Sequence, residues 1–178
     1  MPADIANLPK PVIGYYGVID ERIDLELIHD VARQNPNASI VMIGPLAKIS
    51  ESDLPKEKNI FYPGMKTYDE LPAYLKGFDI AMMPFALNDA TKFISPTKTL
   101  EYMAAGKPII STPIADVVRD YKECIAIVKN AEEFKTAINE VLQSGVKNYG
   151  PKYRTILEST SWDATVDTMN NLIQELKA

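Results

Sequence analysis

Short runs of apolar residues alternate along this chain with longer stretches in which apolar positions recur every three or four residues. Six of the runs read as strands: Val12–Tyr16, Ser39–Ile43, Ile60–Tyr62, Ile80–Pro84, Pro108–Ser111 and Ile125–Val128. Several are continuously apolar rather than alternating, which is the pattern of strands covered by helices on both faces. In the first helical stretch Ile23, Leu27, Ile28, Val31 and Ala32 make one stripe, ended by Asn35-Pro36-Asn37. A second runs from about Tyr68 to Lys76 with Leu71, Tyr74 and Leu75 inward. Ser95-Pro96 reads as the N-cap and first position of a third, whose Leu100, Met103 and Ala104 face the core and which Gly106-Lys107-Pro108 ends. Further helices are predicted over Ile114–Tyr121, Ala131–Leu142, Pro151–Glu158 and Trp162–Lys177.

Strands and helices at this spacing predict one α/β domain over residues 1–178, built on a doubly wound, Rossmann-like parallel sheet of about six strands with right-handed crossovers. Ligands of such sheets bind outside the carboxyl ends of the strands. The loops in that position are Gly17–Arg22, Gly44–Ala47, Pro63–Thr67, Phe85–Ser95 and Thr112–Asp116. The last two helices follow the final strand with no further strand, so they are expected to wrap the outside or to reach toward something else.

Composition narrows the function. The 178 residues are 46% hydrophobic and 24% charged, as in ordinary globular domains, and the formal net charge is −5. No basic stripe is present to release counterions from phosphates, which argues against nonspecific nucleic-acid binding but leaves room for one small anionic ligand. Cys124 is the only cysteine, so no intrachain disulfide is available, and its apolar surroundings read as those of an inert buried thiol in a reducing, cytoplasmic compartment. Met1 to Pro11 lack the apolar core of a signal peptide, and no apolar stretch has transmembrane length. With His29 as the sole histidine, neither a His-based metal cluster nor a Ser-His-Asp triad can be assembled, and no metal or cofactor is expected. Trp162 and the Met82-Met83 pair read as packing residues, and Asp89 as a loop aspartate bonded to nearby backbone, with Asn88 and Thr91 ordering the same loop.

The richest chemistry lies between Asn88 and Thr112. Thr97, Lys98 and Glu101 fall near the start of the third helix, off its core face. A helix start offers unpaired N–H groups and a partial positive charge, and a lysine there opposes the macrodipole by roughly 0.3–1 kcal/mol unless an anion docks beside it. Glu101, one turn deeper, is placed to accept hydrogen bonds from two neighbouring hydroxyls, as a carboxylate does for a ribose. The plain alternative is a solvated i,i+3 ion pair between Lys98 and Glu101, contributing about half a kcal/mol or less.

Leu100-Glu101-Tyr102-Met103-Ala104-Ala105-Gly106-Lys107-Pro108-Ile109-Ile110 resembles the donor-binding motif L-E-A-M-A-A-G-x-P-V-V of group 1 (family 4-like) glycosyltransferases of the GT-B fold. Many members carry a second glutamate in the pattern E-x7-E; here Phe93 stands in its place, and Ser95-Pro96-Thr97-Lys98 is similar to a subset reading S-P-x-K-x-x-E-Y. The resemblance implies that Glu101 holds the ribose of a nucleoside diphosphate sugar and that backbone amides around Ser95, Pro96, Thr97 and Lys98 receive the diphosphate. Ile13-Gly14-Tyr15-Tyr16-Gly17-Val18 resembles the family's first strand and glycine loop, with Gly17 beside the phosphates; it lacks the G-x-G-x-x-G of nicotinamide-binding folds. Arg22 is similar to the family's diphosphate-clamping cation, or else is a solvated arginine at a helix start. Val41-Met42-Ile43-Gly44-Pro45 is similar to the second strand and its glycine turn. Tyr62-Pro63-Gly64-Met65-Lys66, with Leu71 beyond it, resembles the segment that receives the base, with Met65 and Lys66 reading its edge through their backbone and Leu71 covering its face. The alternative for that segment is a plain strand-turn-helix connection.

Read this way, Lys98 and Arg22 would stabilise the departing diphosphate of a UDP- or GDP-sugar during transfer to an acceptor alcohol. The resemblance further implies an amino-terminal acceptor domain that this chain lacks, with peripheral membrane association, where it occurs, through that domain. Residues 161–178, opened by Ser161-Trp162, would reach toward it. The chain is then expected to be a fragment or one half of a split enzyme, inactive alone. Two other readings stay open: half of a GT-B sugar-nucleotide epimerase, and a non-enzymatic nucleotide-binding or interaction module.

Overall fold

The computed structural model describes residues 1–144 and 150–176. The apolar runs form β1 (Val12–Tyr16), β2 (Ser39–Ile43), β3 (Ile60–Gly64), β4 (Ile80–Met83), β5 (Ile109–Ser111) and β6 (Ala126–Ile127). They pair in parallel as a single sheet in the order β3-β2-β1-β4-β5-β6. Every residue of β1, β2, β4 and β5 is buried, which is why these strands are apolar without alternation. β3, at one edge, is only partly covered.

The helices are α1 (Ala3–Ala6), α2 (Leu25–Gln34), α3 (Leu71–Gly77), α4 (Lys98–Ala104), α5 (Ala115–Tyr121), α6 (Ala131–Ser144), α7 (Gly150–Ser159) and α8 (Trp162–Glu175). Right-handed crossovers put α2 on one face of the sheet and α3 and α4 on the other. α6 packs along α2, and α7 covers α4, where the Tyr153 hydroxyl donates to the Lys107 carbonyl at 3.1 Å. The chain runs outward from β1 to β3 and returns to β4 beside β1, so the sheet reverses direction between β1 and β4. That reversal opens a crevice at the carboxyl ends of these two strands.

Several boundaries differ from the sequence pattern for local reasons. α1 is too short to show a period; it is held by Ile5, which is 1% exposed, and by Asp4, whose carboxylate accepts from the Tyr74 hydroxyl at 2.6 Å. Ile23 belongs to the loop before α2, where the Asp24 carboxylate caps the helix by accepting from the Leu27 N–H at 2.8 Å. Tyr68 to Glu70 form a turn rather than helix, because the Glu70 carboxylate folds back onto the N–H and hydroxyl of Thr67 at 2.8 and 2.7 Å. The predicted Ser95-Pro96 helix start is corrected to Lys98: proline disfavours helical backbone at Ser95, and the first turn closes by short bonds from Thr99 N–H to the Pro96 carbonyl and from Leu100 N–H to the Thr97 carbonyl. The buried face of α4 is Thr99, Tyr102 and Met103, with Leu100 half-buried and Ala104 exposed. Trp162 is also corrected. It is 84% exposed and lies outside the core, whereas Met82 and Met83 are core residues. Lys177, predicted to end the last helix, and Ala178 lie outside the described residues. Among the described residues no helix is long and apolar enough to cross a membrane.

Candidate functional site

The loop leaving β1 forms one wall of the crevice, and the backbone pins it to both neighbouring connections. Ile19 N–H donates to Pro45 and Ala47 N–H to Ile19 on the β2 side; Asp24 N–H donates to Pro84 and Ala86 N–H to Arg22 on the β4 side, all at 2.9–3.1 Å. Arg22 is therefore a loop residue rather than part of a helix start, with its side chain 40% exposed. Its guanidinium forks onto Asp20, with Nε to Oδ1 at 2.9 Å and Nη2 to Oδ2 at 2.6 Å. Burial acts to raise the Asp20 carboxyl, but the hydrogen bonds and charge of Arg22 hold it below the ordinary range. The pair thus stays ionised, and the arginine is oriented before any ligand arrives.

Two glycines make the close approach of β1, β2 and α4 geometrically available. Gly17 has φ +143°, and a Cβ there would sit 2.5 Å from Lys98 Cε and 2.9 Å from its Nζ. Gly44 has φ +145°, and its Cβ would lie 1.9 Å from the Gly17 carbonyl oxygen. The obstructions at Gly17 are the movable end of a lysine and the hydroxyl of the buried Tyr15, 2.8 Å away; at Gly44 the obstruction is backbone. Gly44→Ala is expected to destabilise the fold by about 1–3 kcal/mol from backbone strain alone, read as a lowered denaturation midpoint with unchanged slope. An unchanged midpoint would mean that the two turns can separate without cost.

α4 presents Lys98 and Glu101 to this crevice because Thr99, Tyr102 and Met103 are turned into the core. The Lys98 side chain lies across Gly17, with Nζ 5.9 Å from the centre of the Tyr15 ring. Among the described residues it has neither a hydrogen bond nor an ion pair, so the surface pairing with Glu101 considered from the sequence does not form. Burial lowers its ammonium below the ordinary 10.5; the charge of Glu101 pulls it back up, and that of Arg22 pushes it further down. Glu101 instead accepts from the Tyr16 hydroxyl at 2.5 Å. The N–H groups of Ser95, Thr97 and Lys98 make no hydrogen bond among the described residues. A lysine whose charge is disfavoured, beside a second cation and unpaired amides, is an environment that an anion would relieve.

Two adjoining clefts meet at Lys98 and Val18. One, of about 340 Å³, is lined by Tyr16, Gly17, Gly44, Met65, Lys66, Tyr68, Leu71, Lys98 and Glu101, among others. The other, of about 180 Å³, is lined by Tyr15, Arg22, Phe85, Ile94 and the run Ser95, Pro96, Thr97 and Lys98. Every candidate ligand residue singled out from the sequence lines one or both. Lys66 does so with its side chain already engaged, 3.2 Å from Asp4 and 5.0 Å from the Tyr74 ring centre, which leaves its backbone to face a ligand. A cavity of about 440 Å³ beside β3 contains neither Lys98 nor Glu101, so chemistry rather than volume selects the site. Asp89 lies elsewhere, by a separate cleft with Pro113 and Ala115. Asn88 and Thr91 brace that loop through reciprocal bonds of 3.0 and 3.1 Å. His29 pairs with Glu57 at 2.8 Å on the flank of α2, and Cys124 is buried, which pushes its thiol up.

Sequence reasoning missed Tyr16, Tyr68 and Asp20. Tyr15-Tyr16 ends an apolar run and reads as core, and an exposed Tyr68 reads as surface; only the Asp20-x-Arg22 spacing carried a visible signal.

The profile of the family described as "Glycosyl transferases group 1" matches residues 10–144. The chain belongs to this family. This group 1 glycosyltransferase chain is 27% identical over 159 residues to TuaH of Bacillus subtilis (strain 168), assigned as a teichuronic acid biosynthesis glycosyltransferase, covering 85% of the chain and 40% of TuaH. Its fold matches HepE of Anabaena, solved in complex with UDP-glucose, with a TM-score of 0.70 at 17% identity over 97% of this chain and 49% of HepE. It also matches the crystallised C-terminal domain of the group 1 protein LpcC from Francisella tularensis, with a TM-score of 0.61 at 17% identity over 86% of this chain and 87% of that domain. The group 1 chain therefore spans less than half the length of TuaH and about half that of HepE.

Proposed function

We propose that this chain is the donor-binding half of a glycosyltransferase that moves a sugar from a nucleoside diphosphate sugar to an acceptor alcohol. The observation that carries this reading is the convergence on one crevice of Lys98 and Glu101, one turn apart on α4, with the fixed Arg22 and the glycine turns after β1 and β2. In this reading Glu101 accepts from the ribose hydroxyls, and the backbone of Met65 and Lys66 meets the base with Leu71 against its face. The diphosphate lies over Gly17 toward Lys98, Arg22 and the amides of 95–98. As the sugar's C1–O bond to the diphosphate breaks, the electron pair leaves on a phosphate oxygen. The acceptor oxygen bonds to C1 and gives up its proton. Lys98 and Arg22 stabilise the departing charge without reorganising, and the proposal needs no metal or cofactor.

The greater length of the relatives supports an amino-terminal companion half that carries most of the acceptor site. α8 is the segment we assign to it: Trp162, Val166, Met169, Ile173 and Leu176 are all exposed along one helical stripe, and no residue of the helix is buried. The family and the named relative are glycosyltransferases, which favours this reading over an epimerase half or a binding module. We also keep the cytoplasm as the working compartment, consistent with a single, buried cysteine.

The test is a thermal-shift screen of UDP, GDP, ADP and their sugar conjugates against the 178-residue chain. The UDP-glucose complex of HepE makes the uracil series the first to try. A ligand at a hundred times its Kd should add about 2.7 kcal/mol to the unfolding free energy. The chain by itself should bind without turnover. A screen in which no nucleoside diphosphate stabilises the chain would remove the donor-site reading.

A further inference from the structure

Tyr16, the last residue of β1, is 5% exposed and packs in the core, yet its hydroxyl end reaches the crevice. Its hydroxyl donates to Glu101 Oε2 at 2.5 Å, a bond between strand and helix that spans 85 positions of sequence. Three features keep the phenol in place. The ring meets Tyr102 edge-on, with centroids 5.1 Å apart and planes at 87°. The Tyr16 N–H donates to the Tyr102 hydroxyl at 3.3 Å. Tyr102 itself is completely buried, so this contact has no freedom to drift. Burial, and then the hydrogen bond and charge of Glu101, push the Tyr16 hydroxyl well above its ordinary value, so it remains a donor.

We propose that Tyr16 is the positioning residue of the site: by occupying one acceptor position on Glu101, it turns the carboxylate so that the remaining positions present to the two hydroxyls of a ribose. This rests on the donor-site reading above and deepens it. An ionised carboxylate has about four acceptor positions, and a vicinal diol needs two, so the tyrosine leaves enough. The consequence is a specificity rule. Without a fixed partner, the glutamate samples other rotamers, and ordering it on each binding event weakens its grip on the diol. Tyr16 therefore contributes to selection of ribose over deoxyribose, although it need not touch the sugar.

The experiment is calorimetry with the full chain and two ligand pairs, UDP with 2′-deoxy-UDP and GDP with 2′-deoxy-GDP. The wild type is expected to prefer the ribose form of whichever pair binds. Tyr16→Phe, which removes only the hydroxyl and keeps the ring on Tyr102, should reduce that preference about three- to tenfold, with a smaller loss for the deoxy form, which keeps one hydroxyl on Glu101. In a Glu101→Ala background the same change should have no further effect. A tyrosine that served only to support the fold would lower both affinities together and leave the ratio intact; that result, with a normal melting curve, overturns the proposal alone. A wild-type chain that binds none of the four, or does not distinguish within a pair, overturns the donor-site reading and the proposal with it.

A second measurement covers a Tyr16→Phe chain that fails to fold. In otherwise wild-type protein carrying ζ-¹³C tyrosine, one resonance should shift both on Glu101→Gln and on addition of the ribose ligand, and respond less to its deoxy form. Absence of any such shared resonance also overturns the proposal.

Discussion

Glu101→Ala is expected to weaken binding of the nucleoside diphosphate donor by on the order of 100-fold or more, with little change in stability. Each hydrogen bond to a charged group contributes about 1.5–3 kcal/mol, and the carboxylate is assigned two of them to the ribose. Every 1.4 kcal/mol is roughly a factor of ten in affinity. Within the protein, the same carboxylate accepts a hydrogen bond from Tyr16. Removing it leaves that hydroxyl at the wall of an open cleft, where water can replace the lost partner, so the folding cost should stay near or below about 1 kcal/mol. Calorimetry with UDP and GDP, alongside a melting curve, checks both halves of the expectation. Unchanged affinity would withdraw the ribose assignment, and a collapse in stability would make Glu101 a structural residue.

Lys98→Ala should act on a different part of the ligand. Loss of one partner from a sequestered charge pair costs about 2–5 kcal/mol, so nucleoside diphosphate affinity should fall at least about 30-fold while affinity for the bare nucleoside is retained. Equal losses for both ligands would count against a phosphate role. Lys98 also predicts a pH dependence. In the ligand-free chain its ammonium lies below 10.5, chiefly through burial, whereas a bound diphosphate raises it. The complex therefore holds the proton more tightly than the free chain. As pH rises through the depressed free-chain value, binding must take up a proton, and affinity falls by up to about tenfold per pH unit. The nucleotide's own phosphate, with a second ionisation near about pH 6, is already fully charged there and adds no slope. In wild-type chain the decline should begin below 10.5 and be steeper than in Lys98→Ala, where only the nucleotide base still loses a proton; an identical decline in both would assign the titration to another group.

Much of the framework was legible because it depends on local chemistry. A strand buried on both faces has to be apolar throughout, and Val12–Tyr16 and Ser39–Ile43 appear with the bounds that their composition suggests. Lys98 and Glu101 stood out because their chemistry is wrong for a core and their spacing puts them on one side of a helix. Helix ends were harder to read. Ser95-Pro96 satisfies the statistics of an N-cap, but the starting residue depends on which carbonyls the first turn reaches, and here that turn closes three residues at a time. Trp162 was misread for a related reason: a large aromatic is normally buried, and nothing in its neighbours along the chain shows that the fold leaves it 84% exposed.

From the sequence alone came the fold class, the family and the two charged residues of α4, since each rests on the identity and spacing of neighbouring residues. The tertiary structure alone decided that Glu101 pairs with Tyr16 instead of Lys98 and that Gly44 exists to admit the Gly17 carbonyl. These two join residues 85 and 27 positions apart in the chain. Such contacts are set by how the sheet brings β1, β2 and α4 together, and no local pattern of hydrophobic and polar residues encodes them.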